Sequence, residues 1–381
     1  MLPAGVAAGH PDTCAAGVEI LAEGGTAADA AVAACLASCV AETIMTGLLG
    51  GGHGLYLDAA TGRTRHLDCF VTVPTGEGGE MLELAVPFGA ELVHYAVGAA
   101  SCGVPGVPAG LDALWQAYGT LPWTRLVEPA LRLARAGVVV PAAHADCLAM
   151  VESVYTLDEG ARIYAPGGRL LEAGDRLEQP GLAVALEALA EEGAASAYTG
   201  SLAGALVALC EERGGRVTRA DLAGHAARWG EPVEVAFRGT RFLSRAGLSR
   251  VPETLAALDA VAPSTEPERV LALVAALADD AESDGHTTNI VTVDRAGSVC
   301  VLTTTLGLGS GDFLPGLDLQ LNSMLGEVEL HFGPLEPGAR MESMTAPSIA
   351  VAGDGPVLAL GSAGGSRLRT ALVGVADAVL R

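Results

Sequence analysis

Apolar positions follow two regimes along the chain. Through residue 282 most recur at helical spacing, and from residue 287 they shorten into alternating bursts between turn residues. Residues 12–23 predict a short helix stopped by Gly24-Gly25. Thr26 caps a second, Ala27–Ala41, which is apolar all round, as a buried helix is. The glycine cluster at 50–54 is expected to break the chain before a strand at 55–57 and a turn at 58–63. Residues 104–111 carry two prolines and are expected to be irregular. Helices follow at 110–118, 124–136, 181–192 and 201–214, then extended chain at 233–243 and an acidic helical stretch at 252–282. Segments 288–294 and 298–305 predict two strands joined by a tight turn; 347–352 and 356–360 predict another pair, joined through Asp354-Gly355. A helix from about 366 to 380 ends the chain. Helices first, strands later and a closing helix suit a layered α+β fold.

Composition narrows what such a fold can do. Half the residues are hydrophobic (50%), enough for a large core in 381 residues. The longest apolar stretch, at 30–41, is closed by Glu42 and falls short of the ~20 residues a spanning helix needs. With 45 acidic and 22 basic residues, the formal charge of -23 repels phosphate backbones and anionic headgroups. Nucleic acid and membrane are therefore not expected partners, and a small-molecule substrate is. All the basic residues are arginine, which excludes a Walker-type loop, a Schiff-base lysine and a Ser–Lys dyad. No basic region followed by an apolar block opens the chain, so a cytoplasmic location is expected. The eight cysteines are scattered without a C-x-x-C pair, as reduced buried thiols are. No histidine spacing of the H-E-x-x-H kind occurs, and neither metal nor organic cofactor is expected.

Two stretches carry candidate chemistry. Gly361-Ser362-Ala363-Gly364-Gly365-Ser366 leads from a strand into a helix, where bare backbone N–H groups at a positive helix end suit an anion or a developing oxyanion. Thr303-Thr304-Thr305 and Thr287-Thr288 make a hydroxyl-rich pair of strands. Taken alone, the first is equally a plain strand-to-helix turn, and the second equally β-propensity.

Collinear motifs change the picture. His10-Pro11, Ala16-Gly17, Ile20-Leu21 and the run Gly24-Gly25-Thr26-Ala27-Ala28-Asp29-Ala30-Ala31-Val32-Ala33 come first, followed by the glycine block at 50–54. Val104-Pro105-Gly106-Val107-Pro108-Ala109-Gly110, Tyr118-Gly119-Thr120-Leu121-Pro122-Trp123, Tyr198-Thr199-Gly200 and Phe237-Arg238-Gly239 continue the order. His286-Thr287-Thr288-Asn289, Gly309-Ser310-Gly311, Leu321-Asn322 and the 361–367 segment complete it. In this order along nearly the whole chain, the sequence resembles the γ-glutamyltranspeptidases. The resemblance implies a four-layer αββα sandwich of the N-terminal-nucleophile hydrolase type. The chain ends soon after 361–367, so by the resemblance either the sandwich is C-terminally trimmed or the sequence lacks part of its natural chain. It implies a zymogen that cuts itself between His286 and Thr287 into a large-subunit-like segment, 1–286, and a small-subunit-like segment, 287–381, which stay associated. The freed Thr287 has both a hydroxyl nucleophile and an α-amine base. By the same resemblance Thr305 hydrogen-bonds the nucleophile, Gly364 and Gly365 supply oxyanion donors, and Asn322, Glu327 and Ser343 belong to the substrate pocket.

The departures cluster where the family recognises glutamate. Its D-x-R-E-x-A-P segment, whose arginine clamps the substrate carboxylate, reads Asp68-Cys69-Phe70-Val71-Thr72-Val73-Pro74 here. Phe70 offers an apolar face where a buried carboxylate needs a paired cation. Gly307 stands at a pocket asparagine, and only Ser343 remains of two serines. Catalytic positions kept beside an altered pocket imply a hydrolase or acyltransferase acting on an acyl group other than γ-glutamyl. Two alternatives stay open: a C–C bond hydrolase that tailors a specialised metabolite in antibiotic (alkylproline-type) biosynthesis, and an unprocessed, non-catalytic homologue.

Overall fold

The structure, a computed structural model, describes residues 2–88, 91–261, 265–278, 287–331, 333–353, 355–365 and 367–381. The first part of the chain supplies β1 (Gly5–Ala7), β2 (Gly51–Asp58), β3 (Arg63–Cys69), β4 (Arg228–Gly230), β5 (Val233–Phe237) and β6 (Thr240–Ser244). After Thr287 come β7 (Thr288–Val293), β8 (Val299–Thr305), β9 (Ser348–Ala352) and β10 (Gly355–Leu360). Six strands form one antiparallel sheet in the order β1-β7-β8-β2-β3-β4, and four form another in the order β10-β9-β6-β5. Both sheets therefore take strands from either side of Thr287.

Strand alternation builds the layers. Leu55 and Leu57 of β2, Val293 of β7, and Val299 and Val301 of β8 point between the sheets, onto Leu243 of β6 and Ile349 of β9. The intervening residues, Ile290, Cys300 and Leu302, point the other way, into the main core beneath the helices. That core holds α1 (Pro11–Ala22), α2 (Ala27–Ala41), α3 (Val107–Tyr118) and α4 (Trp123–Ala136). On the far side, α5 (Val251–Val261) and α6 (Arg367–Val379) cover the second sheet through Leu255, Leu258, Leu372 and Val373, packed with Phe242 and Ala350. The result is the αββα sandwich expected from the sequence.

α2 is the central helix of the first layer, and all fifteen of its residues are buried. Its alanines let α1, α4 and the sheet approach closely. Thr26 and Asp29 close a capping box at its start, and Asp29 also accepts the Thr120 amide at 3.0 Å.

Two expectations are corrected. The glycine block does not break the chain: Gly51, Gly52 and Gly54 lie within β2. Added side chains would not fit there, since a Cβ on Gly52 would sit 2.4 Å from the Thr303 carbonyl and one on Gly51 2.8 Å from the Val71 amide. Residues 107–111 are helical, because Pro108 falls in the first turn of α3, where its missing N–H is not needed. The 233–243 stretch is extended as expected, but as two strands of a hairpin turned at Arg238 and Gly239, both at positive φ. The 252–282 stretch contains α5 and a further helix, Glu266–Leu277; its last residues, like Asp354 and Ser366, lie outside the described residues. A hairpin of Leu82–Phe88 with Glu91–Val97 and short helices between 142 and 164 carried no expectation.

Candidate active site

Toward one end of the sandwich the inward-facing positions of β7 and β8 change from valine to threonine and asparagine. Thr303 Oγ1 donates to Asn289 Oδ1 at 2.8 Å, bridging the two strands. The register pairs Thr288 with Thr304, so one further step brings Thr287 opposite Thr305. Both side chains face a cleft enclosing about 400 Å³ of empty space, part of it open to solvent. Phe70, Glu327, Ser343 and Gly365 share the lining, together with the apolar Met324, Leu330, Met344 and Leu368. The structure thus brings together six of the residues singled out in the sequence, from five separate segments.

Two do not reach the cleft. Asn322 is fully buried and uses its amide on backbone: Nδ2 donates to the Leu49 carbonyl at 2.8 Å and the Gly103 carbonyl at 2.9 Å, and Oδ1 accepts the Gly103 amide at 2.9 Å. It ties the loops beneath the site and does not line the substrate pocket. Gly364, at φ +95°, turns the chain so that Gly365 lines the cleft and it does not. His286 lies outside the described residues.

The Phe70 wall is held from two sides. Its ring stacks on His53 at 5.4 Å, and His53 stacks on His66 at 5.3 Å. On the other side the Arg340 guanidinium donates to the Phe70 carbonyl and to the Ala226 carbonyl, and lies 3.5 Å from Asp68. Burial, reinforced by the Arg245 charge, pushes the His66 pKa down to about 4 and that of His53 well below the usual histidine value. Both imidazoles are neutral at pH 7, which suits their stacking against an apolar ring.

Arg245 fixes the segment that carries Ser343: its guanidinium donates to the Ser343 carbonyl at 2.7 Å and the Thr345 carbonyl at 3.1 Å. Glu327 enters beside it, with Oε1 accepting the Leu308 amide at 2.9 Å and the Ser323 hydroxyl at 3.1 Å. Gly307 makes that possible: a Cβ there would lie 1.8 Å from Glu327 Oε1. Among the described lining residues Glu327 carries the one ionisable side chain.

Chemically, the cleft presents a threonine at the head of a strand, a second hydroxyl beside it, a glycine leading into α6, one carboxylate and apolar walls. The four apolar lining residues were not anticipated; Met324 and Leu330 come from single 3-10 turns, Met344 from a loop and Leu368 from the first turn of α6, segments too short for periodicity to give a signal.

The family model described as Gamma-glutamyltranspeptidase matches residues 13–265 and 259–381. The chain is 29% identical over 429 aligned positions to the Acylase ACY 1 proenzyme of Pseudomonas sp. (strain SE83), covering 95% of this chain and 77% of that protein. Glutathione hydrolase proenzyme 1 of Schizosaccharomyces pombe is 34% identical over 232 positions, 60% of this chain and 36% of its own. The crystal structure of cephalosporin acylase from Bacillus halodurans superposes with a TM-score of 0.75 at 24% identity, covering 93% of this chain and 76% of its own, a likeness of fold.

Proposed function

The chain belongs to the γ-glutamyltranspeptidase family of N-terminal-nucleophile hydrolases and acylases, and from that premise we propose that it cleaves itself before Thr287 and then hydrolyses or transfers an apolar acyl group. Thr287 Oγ1 attacks the substrate amide carbonyl, and the α-amine freed by self-cleavage takes the hydroxyl proton. The Thr305 hydroxyl holds the nucleophile's oxygen. The backbone at Gly365 faces the oxygen that becomes negative in the tetrahedral intermediate. Collapse expels the amine, leaves Thr287 esterified, and water or a second amine then resolves the ester. Segments 1–286 and 287–381 remain one fold after the cut, because each contributes strands to both sheets.

The observation that carries the substrate assignment is the lining of the cleft. Phe70, Met324, Leu330, Met344 and Leu368 surround the threonines, and among the described lining residues Glu327 carries the one ionisable side chain. A γ-glutamyl group brings its own carboxylate, which would meet the aromatic ring of Phe70. Such a pocket favours an aliphatic or aromatic acyl chain.

Side-by-side assay of γ-glutamyl, aliphatic acyl and β-dicarbonyl compounds tests this. Preferred turnover of the aliphatic acyl amide is the expected result. Family-level turnover of the γ-glutamyl compound would overturn the substrate assignment, and turnover confined to the β-dicarbonyl would make the enzyme a C–C bond hydrolase. Intact mass tests the cut: two fragments are expected, and an uncut 38.3 kDa chain would overturn it.

A further inference from the structure

The proposed chemistry makes no use of Glu42, a buried acid hydrogen-bonded to Thr288, the residue after the candidate nucleophile. Glu42 caps the C-terminal end of α2 and is 1% exposed. Nothing in helix stability calls for an acid there. The negative end of the helix dipole disfavours a carboxylate, and burial raises its pKa above the usual range, opposed by the hydroxyls it accepts.

Those two hydroxyls define what it does. Glu42 Oε1 accepts Thr13 Oγ1 of α1 at 2.6 Å, and Oε2 accepts Thr288 Oγ1 of β7 at 2.6 Å. Both threonines are buried. The chain between β1 and α1 closes over the group at Gly9, where a Cβ would lie 2.5 Å from Glu42 Oε2 and 3.3 Å from Thr288 Oγ1. The nearby His10 accepts the Asp12 amide on Nδ1, and its Nε2 lies 3.2 Å from the Val139 carbonyl. Neither contact reaches Glu42, whose two oxygens are taken by the hydroxyls of Thr13 and Thr288.

Neighbouring residues of a strand point to opposite faces, so Thr288 faces α2 while Thr287 faces the cleft. α2 is pinned along β7 at both ends. At its start Thr292 donates to the Ala27 carbonyl at 2.7 Å and Asp294 accepts the Ala27 amide at 3.0 Å. At its finish the tie is Glu42 to Thr288. The ladder with β8 begins at Thr288, and Thr287 lies beyond the last rung. A chain end in that position frays unless something holds it.

We propose that Glu42 is a positioning residue: by holding the Thr288 hydroxyl against α2 it fixes the start of β7 and keeps Thr287 aimed into the cleft. This rests on the proposed role of Thr287. Removing the tie lets the attacking oxygen wander, which lowers kcat while leaving KM, set by the cleft walls, largely unchanged.

The test compares two isosteric changes at the same carboxyl. Thr288→Val and Thr13→Val each delete one hydroxyl donor to Glu42, and each keeps the β-branched shape. A role confined to satisfying a buried acid predicts equal effects. The positioning role predicts that Thr288→Val lowers kcat by ~10- to 100-fold and speeds amide exchange in the peptide 287–293. Thr13→Val should lower the melting temperature but leave both readings near wild type, and Thr288→Ser should restore both. Equal loss of kcat in the two valine variants would overturn the proposal, as would unchanged exchange and kcat in Thr288→Val. Should Thr288→Val fail to fold, Glu42→Gln keeps the shape and one acceptor and gives the same pattern at smaller amplitude. A wild-type chain that neither cuts nor turns over would remove the role given to Thr287; exchange in 287–293, independent of activity, still decides the clamp.

Discussion

Restoring the family's arginine at position 70 should not restore glutamate recognition, and the structure says why. Phe70 is 1% exposed and its ring stacks on His53, with Arg340 on its carbonyl. Phe70→Arg would remove the ring from that stack and place a guanidinium among Arg245, Arg340 and two histidines. Asp68, the nearest acid in sequence, is already taken by the Phe70 amide at 2.9 Å and by Arg340. Losing the packing of a buried phenylalanine costs ~3–5 kcal/mol, and a poorly paired buried charge adds to that. A working carboxylate clamp would contribute ~2–3 kcal/mol to the transition state, or about 30- to 150-fold in kcat/KM. With the new cation misplaced, the gain on a γ-glutamyl anilide should stay below ~10-fold, while turnover of an aliphatic acyl anilide falls. Chemical denaturation and kcat/KM on both anilides measure the two effects. A Phe70→Arg protein that loses less than ~1 kcal/mol of stability and reaches family-level turnover of the γ-glutamyl anilide would refute the reasoning.

Other expected outcomes concern the same walls. Thr287→Ala should leave one uncut chain of 38.3 kDa by intact mass, and Thr287→Ser should still cut, more slowly. Gly307→Ala places a Cβ 1.8 Å from Glu327 Oε1 at a φ of +67°, so it should expel the carboxylate and cost ~2–4 kcal/mol in a denaturant titration; a change under ~0.5 kcal/mol would mean Glu327 is not seated there. Burial holds the pKa of His66 near 4 and that of His225, whose Nε2 lies 3.2 Å from the Arg340 guanidinium, near 3, both below the usual histidine value of 6.5. The unfolded chain therefore binds these protons first as pH falls. Stability is whole above about pH 6.5 and is lost progressively toward pH 4, by ~1–2 kcal/mol per histidine at pH 5; equal denaturation midpoints at pH 7 and pH 5 would contradict this.

How much of this was legible in the sequence depended on which force placed each residue. α2 was readable to its ends because Thr26 caps it and its apolar run has nowhere to go but the core. The start of β2 was not. Glycine normally weakens a strand, and only the closeness of Thr303, Thr304 and Val71 shows that glycine is what fits between them. Pro108 misled for a related reason, since its effect on a helix depends on whether it falls in the first turn or later. Within the site, Thr287 and Thr305 were visible as chemistry but were brought opposite each other only by the register of β7 and β8. Asn322 shows the limit: a buried amide serves a ligand or a backbone knot equally well by type, and here Leu49 and Gly103 claim it.

The departures from the family pattern form one coordinated change and not scattered drift. His53 stands within the glycine block and lies directly under Phe70, so the imidazole fills space behind the ring. Arg340 does not aim into the cleft as a substitute clamp; it fixes the carbonyl of the residue that replaced the family's arginine. Across the cleft, Gly307 stands at the family's asparagine position, and a side chain there would collide with Glu327, so the small residue and the inserted carboxylate require each other. At the same wall His53 Nε2 and Arg340 Nε are buried without a hydrogen-bond partner among the described residues, so the refit is by packing and not by polar pairing. The Phe70 ring fills its place against His53, while Thr287, Thr305 and Gly365 line the same cleft. An apolar ring kept in one cleft with the candidate catalytic threonines is what the proposed apolar acyl substrate requires.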